Sequence, residues 1–444
     1  MLRGGVGRIS RRWGLVRTMS SSIQWREGSE GVREVSVARF NAFLQRVREG
    51  VSGVAKGTRV HVMIGNEAAD ADSIVSSLVY AYFRDYVAKE ERESKLFVPV
   101  LPIPRDELPL RCDVVALFQG LHIDTSSIFF VDEFPWRHEA FQSKEGESSL
   151  HMTLLDHNAL NTKRIAEGLV AEDIGRIMEI LDHHMDLGKH LEAPAREIAF
   201  QHDQALVASS CTLIAEKILA HSATKKVDEE VLALSATMLL GVIALDSINF
   251  DPSAKKVTPR DVAAANHLEA ASFAQKGDLF RWLQSEKFNV AHWSAFSLNN
   301  CLVCDYKEFQ LPEGSSGKYG VSAILIPLEA FVTKAKTGDD FVEQLQAYCE
   351  KDDLAFLVVM TMTVNSDGDR KRQILFYEAN DQAHTKRCLQ YFKSNDVLQL
   401  ESTGLPYEFD ERVSAFQQHN TGASRKQVVP LIQLALGTVA QVKL

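Results

Sequence analysis

Apolar and polar positions along this chain follow two different patterns, one in each half. From about Val35 to Leu245, short apolar runs alternate with longer amphipathic or polar stretches. Runs this short predict buried strands, and the amphipathic stretches predict helices. The predicted strands are Val60–Ile64, Leu96–Leu101, Ile128–Val131, Thr153–Leu155 and Ile177–Leu181. Strands that alternate with helices indicate an α/β fold with a parallel sheet and helices on its faces.

Three longer patterns in the first half predict helices. The predicted helices are about Asp72–Val87, Val207–His221 and Asp228–Ala244. A looser stretch that contains Lys and Pro follows at Asp251–Asp261, and such stretches mark domain boundaries. We therefore expect a parallel-sheet domain over residues 30–262 and a linker region over residues 263–278.

Residues 279–444 are predicted to form a smaller α/β domain. Phe356–Val364 is an apolar, β-branched run, residues 365–369 are turn formers, and Gln373–Tyr377 resumes the strand pattern. This order predicts a hairpin, and helical patterns flank it.

Composition narrows the possible classes of function. The 444 residues carry a net charge of −10, whereas non-specific nucleic-acid binding needs a basic face, so no nucleic-acid partner is expected. The best apolar run, Val231–Leu245, is too short for a membrane span, so no membrane segment is expected. Six sparse cysteines fit a reducing compartment. The lone Cys301-x-x-Cys304 pair lacks the second pair that zinc would need, which favours free thiols.

The first 26 residues have a composition of their own and are set apart as a targeting or disordered segment. Met1–Gln24 carries five arginines and no acidic residue. A mitochondrial transit peptide has this composition, and so does a disordered basic tail. Met19 would serve as a downstream start for a cytosolic form. Mitochondrial and cytoplasmic locations therefore both stay open.

Aspartate and histidine residues form four clusters, each at the end of a predicted strand or helix. The clusters are Gly65-Asn66-Glu67-Ala68-Ala69-Asp70-Ala71-Asp72-Ser73, Asp156-His157-Asn158, Asp182-His183-His184 and Asp246-Ser247. Ligands of open parallel sheets bind where the strands end. Simpler interpretations exist, since acidic residues cap helix starts and a histidine pair can be structural. The helix dipole, however, disfavours an aspartate at a helix C-terminus such as Asp246.

Taken together, the four clusters indicate a metal site. Carboxylates and imidazoles suit Mg²⁺ or Mn²⁺, and converging carboxylates repel one another unless cations neutralise them. Two metals at such a site would clamp a phosphoryl group and generate hydroxide.

The clusters, in this order, resemble the four motifs of the DHH superfamily of phosphoesterases. Two later segments are similar to the substrate domain of family II inorganic pyrophosphatases, exopolyphosphatases and prune-type proteins. They are Cys304-Asp305-Tyr306-Lys307-Glu308-Phe309 and Ala423-Ser424-Arg425-Lys426-Gln427-Val428-Val429-Pro430. The resemblance covers about Val60 to Leu434. It implies a parallel-sheet DHH domain with flanking helices, followed by a smaller DHH-associated α/β substrate domain.

The resemblance also implies roles for individual residues. The implied ligands of two or more Mg²⁺ or Mn²⁺ ions are Asn66, Asp70, Asp72, Asp156, His183 and Asp246. Asp156 would bridge the metals, and a water activated there would be the nucleophile. His184 would face the substrate phosphate and donate a hydrogen bond or proton, supported by Asp182, with His157 near the site. The implied phosphate-binding residues of the second domain are Lys307, Arg425 and Lys426.

Single residues favour one branch of the superfamily. Family II pyrophosphatases usually have His at the position of Asn66, and prune-type proteins tend to have a second His at that of Asn158. The combination found here resembles exopolyphosphatases, which release terminal orthophosphate from linear polyphosphate. The alternatives are a pyrophosphatase, a nucleotide phosphodiesterase on the same scaffold, or a catalytically weak scaffold protein. The expected partner is polyphosphate or pyrophosphate, and the oligomeric state stays open.

Overall fold

In a computed structural model of the protein, two α/β units follow one another along the chain. The structure describes residues 23–93, 95–141, 149–161, 175–202, 204–311, 317–364, 370–380 and 384–437. Its helices are α1 (Glu30–Ser52), α2 (Ala71–Glu90), α3 (Cys112–Gly120), α4 (Ser210–Ser222), α5 (Glu229–Asp246), α6 (Pro259–Ala271), α7 (Lys276–Lys287), α8 (Val290–Ala295), α9 (Leu298–Val303), α10 (Leu328–Val332), α11 (Gly338–Lys351), α12 (His384–Asn395) and α13 (Arg425–Leu436). Its strands are β1 (Arg59–Ile64), β2 (Lys95–Leu101), β3 (Phe129–Phe130), β4 (Leu150–Leu155), β5 (Arg176–Asp182), β6 (Ala195–Ile198), β7 (Phe200–Gln201), β8 (Gln204–Ala205), β9 (Tyr306–Gln310), β10 (Lys318–Ile324), β11 (Leu354–Thr361), β12 (Thr363–Val364), β13 (Arg370–Glu378), β14 (Leu400–Ser402) and β15 (Val413–Gln418).

The first sheet has the strand order β3-β2-β1-β4-β5-β6. Every neighbouring pair in it is parallel. The chain moves outward from β1 through β2 and β3, and then returns to the other side of β1 for β4. The direction of strand order therefore reverses between β1 and β4. Such a reversal opens a crevice at the carboxyl ends of the strands, where ligands bind.

Helix α5 forms the centre of the helical layer in the first unit. It is buried from Val231 to Leu245, with the exception of Leu232, and α1, α2, α6 and α7 pack against it. A helix covered on all sides has no need of a polar face, which explains its continuous apolar sequence. Each large side chain that it buries contributes about 1.5–3 kcal/mol of transfer free energy.

The second sheet is mixed and has the order β14-β15-β13-β11-β10-β9, with β12 beside β13. Only β10 and β11 pair in parallel among its described strands. Every residue of β11 is buried, because helices cover both faces of the sheet. Phe356 and Val358 join the core that includes Cys388 of α12. Leu357 joins the core that includes Phe341 of α11, as the two-residue repeat of a strand requires.

The predicted α/β fold class and the five predicted strands of the first half are confirmed. The predicted pairing of the hairpin is confirmed as well, since β11 and β13 pair antiparallel, while residues 365–369 lie outside the described residues. Strands β6, β7 and β8 were not predicted. They have two to four residues each and mostly polar or half-exposed positions, so no apolar run marks them.

The predicted linker region, residues 263–278, is largely helical and carries the end of α6 and the start of α7. Leu279, Trp282 and Leu283 of α7 belong to the core of the first unit, whereas Trp293 belongs to the second. Trp25, near the start of the described residues, packs edge-on against Trp282 of α7, with 6.0 Å between the ring centroids. The predicted Arg-rich segment lies almost wholly outside the described residues.

Two predictions drawn from composition concern the described chain directly. No described helix is both long enough and apolar enough to cross a membrane. All six cysteines are buried free thiols, as predicted for Cys301 and Cys304.

Candidate metal and phosphate site

Three of the four clusters lie at one edge of the first sheet, where the predicted ligands were expected. Asn66 follows β1, Asp156 follows β4, and Asp182 ends β5. Strands β1 and β4 are neighbours, and the strand order reverses between them. The fourth cluster joins them from the end of α5, at Asp246.

The loop after β1 is pressed against the start of α2. A Cβ atom at Gly65 would lie 2.6 Å from the Cβ of Ser73, so only glycine permits this close approach. Asp70 caps α2 by accepting a hydrogen bond from the backbone nitrogen of Ser73 at 3.1 Å. Burial and the negative charge of Asp156 raise the pKa of Asp70. Asp70 therefore caps the helix and also belongs to the charged site.

Asp156 lies at the centre of the site in a left-handed backbone conformation, with φ of +63°. Such a conformation costs a non-glycine residue about 1–3 kcal/mol, and it is found most often at functional sites. One carboxylate oxygen, Oδ2, accepts hydrogen bonds from Asn66 Nδ2 at 2.6 Å and from Ser73 Oγ at 2.9 Å. The other oxygen, Oδ1, lies 3.3 Å from His183 Nε2. Burial alone would raise the pKa of Asp156, but hydrogen bonding and positive charge from His183 and its neighbours hold that pKa well below the ordinary value.

Asn66 faces this carboxylate with its amide nitrogen. Its Oδ1 accepts a hydrogen bond from the backbone nitrogen of Ala68 at 2.9 Å. The amide group would have to turn over to present its oxygen to a metal. The ligand role of Asn66 stays a prediction.

Asp72 is fixed by the N-terminus of α4. Its two oxygens accept hydrogen bonds from Ser209 Oγ at 2.6 Å, from the backbone nitrogen of Ser210 at 2.7 Å and from that of Cys211 at 2.9 Å. Burial and the charges of Asp156 and Asp246 raise the pKa of Asp72 well above its ordinary value. These donors orient the carboxylate without removing its repulsion from the other acidic groups.

The two histidines after β5 are oriented by different acceptors. His183 Nδ1 lies 3.0 Å from the carbonyl oxygen of Val207, which leaves Nε2 facing Asp156 and, at 3.7 Å, Asp72. His184 Nδ1 lies 2.8 Å from Oδ1 of Asp182. Asp156, His183 and His184 each place a possible ligand atom within 4.8 Å of the others.

Asp182 and Asn158 hold the turn that carries these histidines. Asp182 is fully buried and accepts hydrogen bonds from the backbone nitrogens of His183 at 2.7 Å and His184 at 3.1 Å. Its Oδ2 accepts from Asn158 Nδ2 at 2.5 Å. These hydrogen bonds orient the turn, and the supporting role of Asp182 at a metal site stays a prediction. His157 lies beside the site with Nδ1 2.9 Å from the carbonyl oxygen of Leu155.

Asp246 completes the acidic group. Its Oδ2 is buried and has no hydrogen-bond partner among the described residues. Burial and the charge of Asp70 raise the pKa of Asp246 to about 6.

This donor set fits divalent cations. Four aspartates converge with two imidazoles, three of the aspartates have raised pKa values, and one buried carboxylate oxygen lacks a partner. Oxygen and imidazole donors are those that Mg²⁺ and Mn²⁺ accept, and a cation would relieve the repulsion among the carboxylates.

The second unit directs basic residues at this site. Lys307 of β9 is close enough for its charge to lower the pKa values of His184 and Asp156. The charge of Lys426, at the start of α13, disfavours the protonated forms of both His183 and His184. Arg425 instead donates to Asp305, through Nη1 to its carbonyl oxygen at 2.9 Å and Nη2 to its Oδ1 at 2.6 Å.

Comparison with known proteins shows the family of both units. Residues 60–242 match the DHH family, N-terminal domain, and residues 282–435 match the DHHA2 domain. Exopolyphosphatase PRUNE1 of Homo sapiens is 33% identical over 381 residues, which cover 85% of this chain and 76% of that protein. The chain belongs to the DHH family.

Two more distant relatives extend the comparison. A Schizosaccharomyces pombe protein assigned as an exopolyphosphatase is 27% identical over 424 residues, which cover 90% of this chain and 99% of that protein. A Methanococcus jannaschii chain assigned to the family II inorganic pyrophosphatases superimposes with a TM-score of 0.52 at 16% identity. The match covers 85% of this chain and 99% of that chain, and it supports the fold.

Several residues of this DHH site were missed by reasoning from sequence. Ser209 and Ser210 bind Asp72 across more than 130 positions of sequence, and no local signal marks them. Lys287, at the end of α7, lies 3.3 Å from Asp113, and the surrounding aspartates keep the pKa of Lys287 raised despite its burial. The charge of Lys287 also opposes the rise in the pKa values of Asp70 and Asp246, which stay raised because burial and the neighbouring carboxylates outweigh it. A lysine at a helix end is common, which is why the sequence did not single it out.

Proposed function

We propose that this DHH protein is a hydrolase of phosphoanhydride bonds, and specifically an exopolyphosphatase that releases terminal orthophosphate from linear polyphosphate. One observation carries the proposal. A buried group of carboxylates and imidazoles at the strand-order reversal faces Lys307 and Lys426 of a second unit. This arrangement pairs a cation site with basic side chains, as a phosphate substrate requires.

Two divalent ions would be held by Asp70, Asp72, Asp156, His183 and Asp246, with the amide of Asn66 beside them. Bound there, they would supply Lewis-acid activation of water and neutralise charge on the phosphoryl oxygens. An amide oxygen at position 66 is a harder ligand than imidazole, which favours Mg²⁺ over Mn²⁺.

The chain's own residues would then bind and orient the substrate. Lys307 and Lys426 would bind phosphate oxygens as point charges. Arg425 uses two of its N–H groups on Asp305, and its remaining donors would be available to phosphate. Positive charges from the second unit would thus hold the terminal phosphate against the carboxylate site.

His184 would bind the substrate through Nε2. Burial and the nearby lysines lower the pKa of His184 to about 4, and Asp182 holds its Nδ1. In the free protein the imidazole of His184 is therefore neutral, and the hydrogen bond to Asp182 selects the tautomer with its hydrogen on Nδ1. Phosphate negative charge placed beside Lys307 and Lys426 would favour the protonated imidazole, which can donate from Nε2.

Similarity to an exopolyphosphatase over most of both chains supports this branch. An inorganic pyrophosphatase is the second candidate, because the shared fold extends to a chain assigned to that family. Orthophosphate release from pyrophosphate, tripolyphosphate, long polyphosphate and cyclic nucleotides, each with Mg²⁺ and Mn²⁺, separates the candidates. We expect the highest kcat/KM with a linear polyphosphate. A preference for pyrophosphate or a cyclic nucleotide would overturn the exopolyphosphatase proposal.

A further inference from the structure

Hydrogen bonds of Glu67 join the loop after β1 to the second unit. Glu67 Oε1 accepts a hydrogen bond from the backbone nitrogen of Glu308 at 3.0 Å, and its Oε2 accepts one from Asn161 Nδ2 at 2.9 Å. The same nitrogen of Asn161 donates to Glu308 Oε1 at 3.0 Å. We call these three hydrogen bonds the Glu67 contact. Through it, one carboxylate of the first unit binds the residue that follows Lys307.

Arg111 makes a second connection between the two units, next to the Glu67 contact. Its buried guanidinium donates from Nη2 to the carbonyl oxygen of Ala68 at 2.8 Å and to that of Val303 at 3.2 Å. Ala68 follows Glu67, and Val303 ends α9 shortly before β9. The two connections therefore reach the second unit on both sides of Lys307.

Strand β9 is an edge strand, which explains why a carboxylate can bind its backbone. On its inner side it pairs with β10, where Glu308 lies opposite Gly320. The outer N–H groups of an edge strand need another acceptor, and an ionised carboxylate makes a stronger hydrogen bond than a neutral one. The side chain of Glu308 is itself held by Lys318, at 2.7 Å between Oε2 and Nζ. Both of these side chains are mostly buried, so the ion pair holds β9 in place where Glu67 binds it.

On the basis of the proposed function, we propose that Glu67 is a positioning residue for phosphate binding. Its contact with the Glu308 backbone fixes the distance of Lys307 from Asp70 and Asp156. A phosphate held by Lys307 then meets the carboxylate site in one defined geometry. The competing explanation is that Glu67 only shapes the loop after β1. In that case the binding of phosphate by Lys307 would not depend on Glu67.

Hydrogen exchange at the Glu308 amide tests the structural half of this proposal without any turnover. We expect Glu67→Ala to speed exchange of that amide by tenfold or more, because its acceptor is removed. Glu411→Ala, which removes an exposed carboxylate paired with Lys386 at 2.8 Å, is the matched control and should leave the exchange unchanged. Unchanged exchange in Glu67→Ala would overturn the proposal.

A double-mutant cycle on the Kd for orthophosphate in Mg²⁺ tests the functional half, since orthophosphate binds without being hydrolysed. Glu67→Ala and Lys307→Ala should each weaken binding by about tenfold, the usual scale for a charge-assisted hydrogen bond. If Glu67 acts through Lys307, the double variant should bind within about twofold of Lys307→Ala. Additive losses of about a hundredfold would contradict the positioning role. Glu67→Gln keeps one acceptor oxygen and should recover most of the affinity.

Asn161→Ala provides a second route if Glu67→Ala does not fold. It removes the two hydrogen bonds that Asn161 donates to Glu67 and Glu308 and changes no residue of the loop after β1. We expect a smaller loss of orthophosphate affinity that again disappears when Lys307 is absent, and an additive loss would overturn the proposal. A protein that shows these couplings but hydrolyses no polyphosphate would refute the proposed function alone. A protein that hydrolyses polyphosphate with additive couplings would refute the positioning role alone.

Discussion

Asp182 Oδ1 lies 2.8 Å from His184 Nδ1, and the same oxygen also accepts the backbone hydrogen bonds of His183 and His184. A single carboxylate oxygen therefore sets the turn and the ring orientation of the histidine predicted to face phosphate. The position of Asp182, one residue before the two histidines, lets it support them without entering the cation site.

Replacement of Asp182 by asparagine should lower kcat by about ten- to hundredfold, the usual effect of removing a group that orients a ligand. The new amide would also place its NH₂ group against Nδ2 of Asn158, so that two donors face each other. This would cost about 1–3 kcal/mol in folding free energy. Steady-state kinetics and thermal melting measure both effects. Asp186→Asn alters an exposed carboxylate on the same loop and serves as the control. A variant with the kcat of the natural protein would contradict the orienting role.

Divalent cations should stabilise the folded protein through Asp246. Bound Mg²⁺ at a hundred times its Kd stabilises a protein by about 2.7 kcal/mol, which raises Tm by several degrees. Without metal, Asp246→Asn should melt no lower than the natural protein, because the neutral amide removes a repelled buried carboxylate. With Mg²⁺, its increase in Tm should be much smaller.

Differential scanning fluorimetry with chelator and with Mg²⁺ measures these shifts. Asp251→Asn, which changes an exposed aspartate that binds Ser253, is the matched control. An Mg²⁺-dependent increase in Tm that is equal in Asp246→Asn and the natural protein would exclude Asp246 from the cation site.

The sequence predicted the local parts of this site and missed the distant ones. Asp156 and Asp182 were found because each follows a short apolar strand, and that signal lies within a few residues. The donors to Asp72 come from residues near position 210, and only the folded chain brings them together. Asn158 was singled out as a branch marker, and its hydrogen bonds to Asp182, Met185 and Leu187 became visible only in the structure.

His61 should make the stability of the first unit depend on pH. It is buried in β1, with Nε2 2.8 Å from Thr153 Oγ1, and burial lowers its pKa from 6.5 to about 3. As pH falls below about 6.5, the unfolded chain takes up a proton that the folded protein refuses. Stability is therefore full above that pH and is lost as pH falls toward 3, by up to about 1.4 kcal/mol per pH unit.

Urea unfolding between pH 7 and pH 5 measures this dependence. His61→Gln can retain the hydrogen bond to Thr153 and should show a shallower loss of stability toward pH 5. His267→Gln, on the exposed surface of α6, should keep the pH dependence of the natural protein. Equal slopes in His61→Gln and the natural protein would show that His61 takes up its proton in the folded state.

The most direct test of the proposed chemistry is orthophosphate release from long linear polyphosphate by purified, Mg²⁺-loaded protein and by its Asp156→Ala variant. We expect steady release by the natural protein and a loss of at least a thousandfold in the variant, since Asp156 lies at the centre of the carboxylate site; a loss of this size corresponds to about 4 kcal/mol of transition-state stabilisation. Circular dichroism should show that the variant stays folded. A natural protein that releases no orthophosphate, or a folded variant that releases it at the natural rate, would contradict the account.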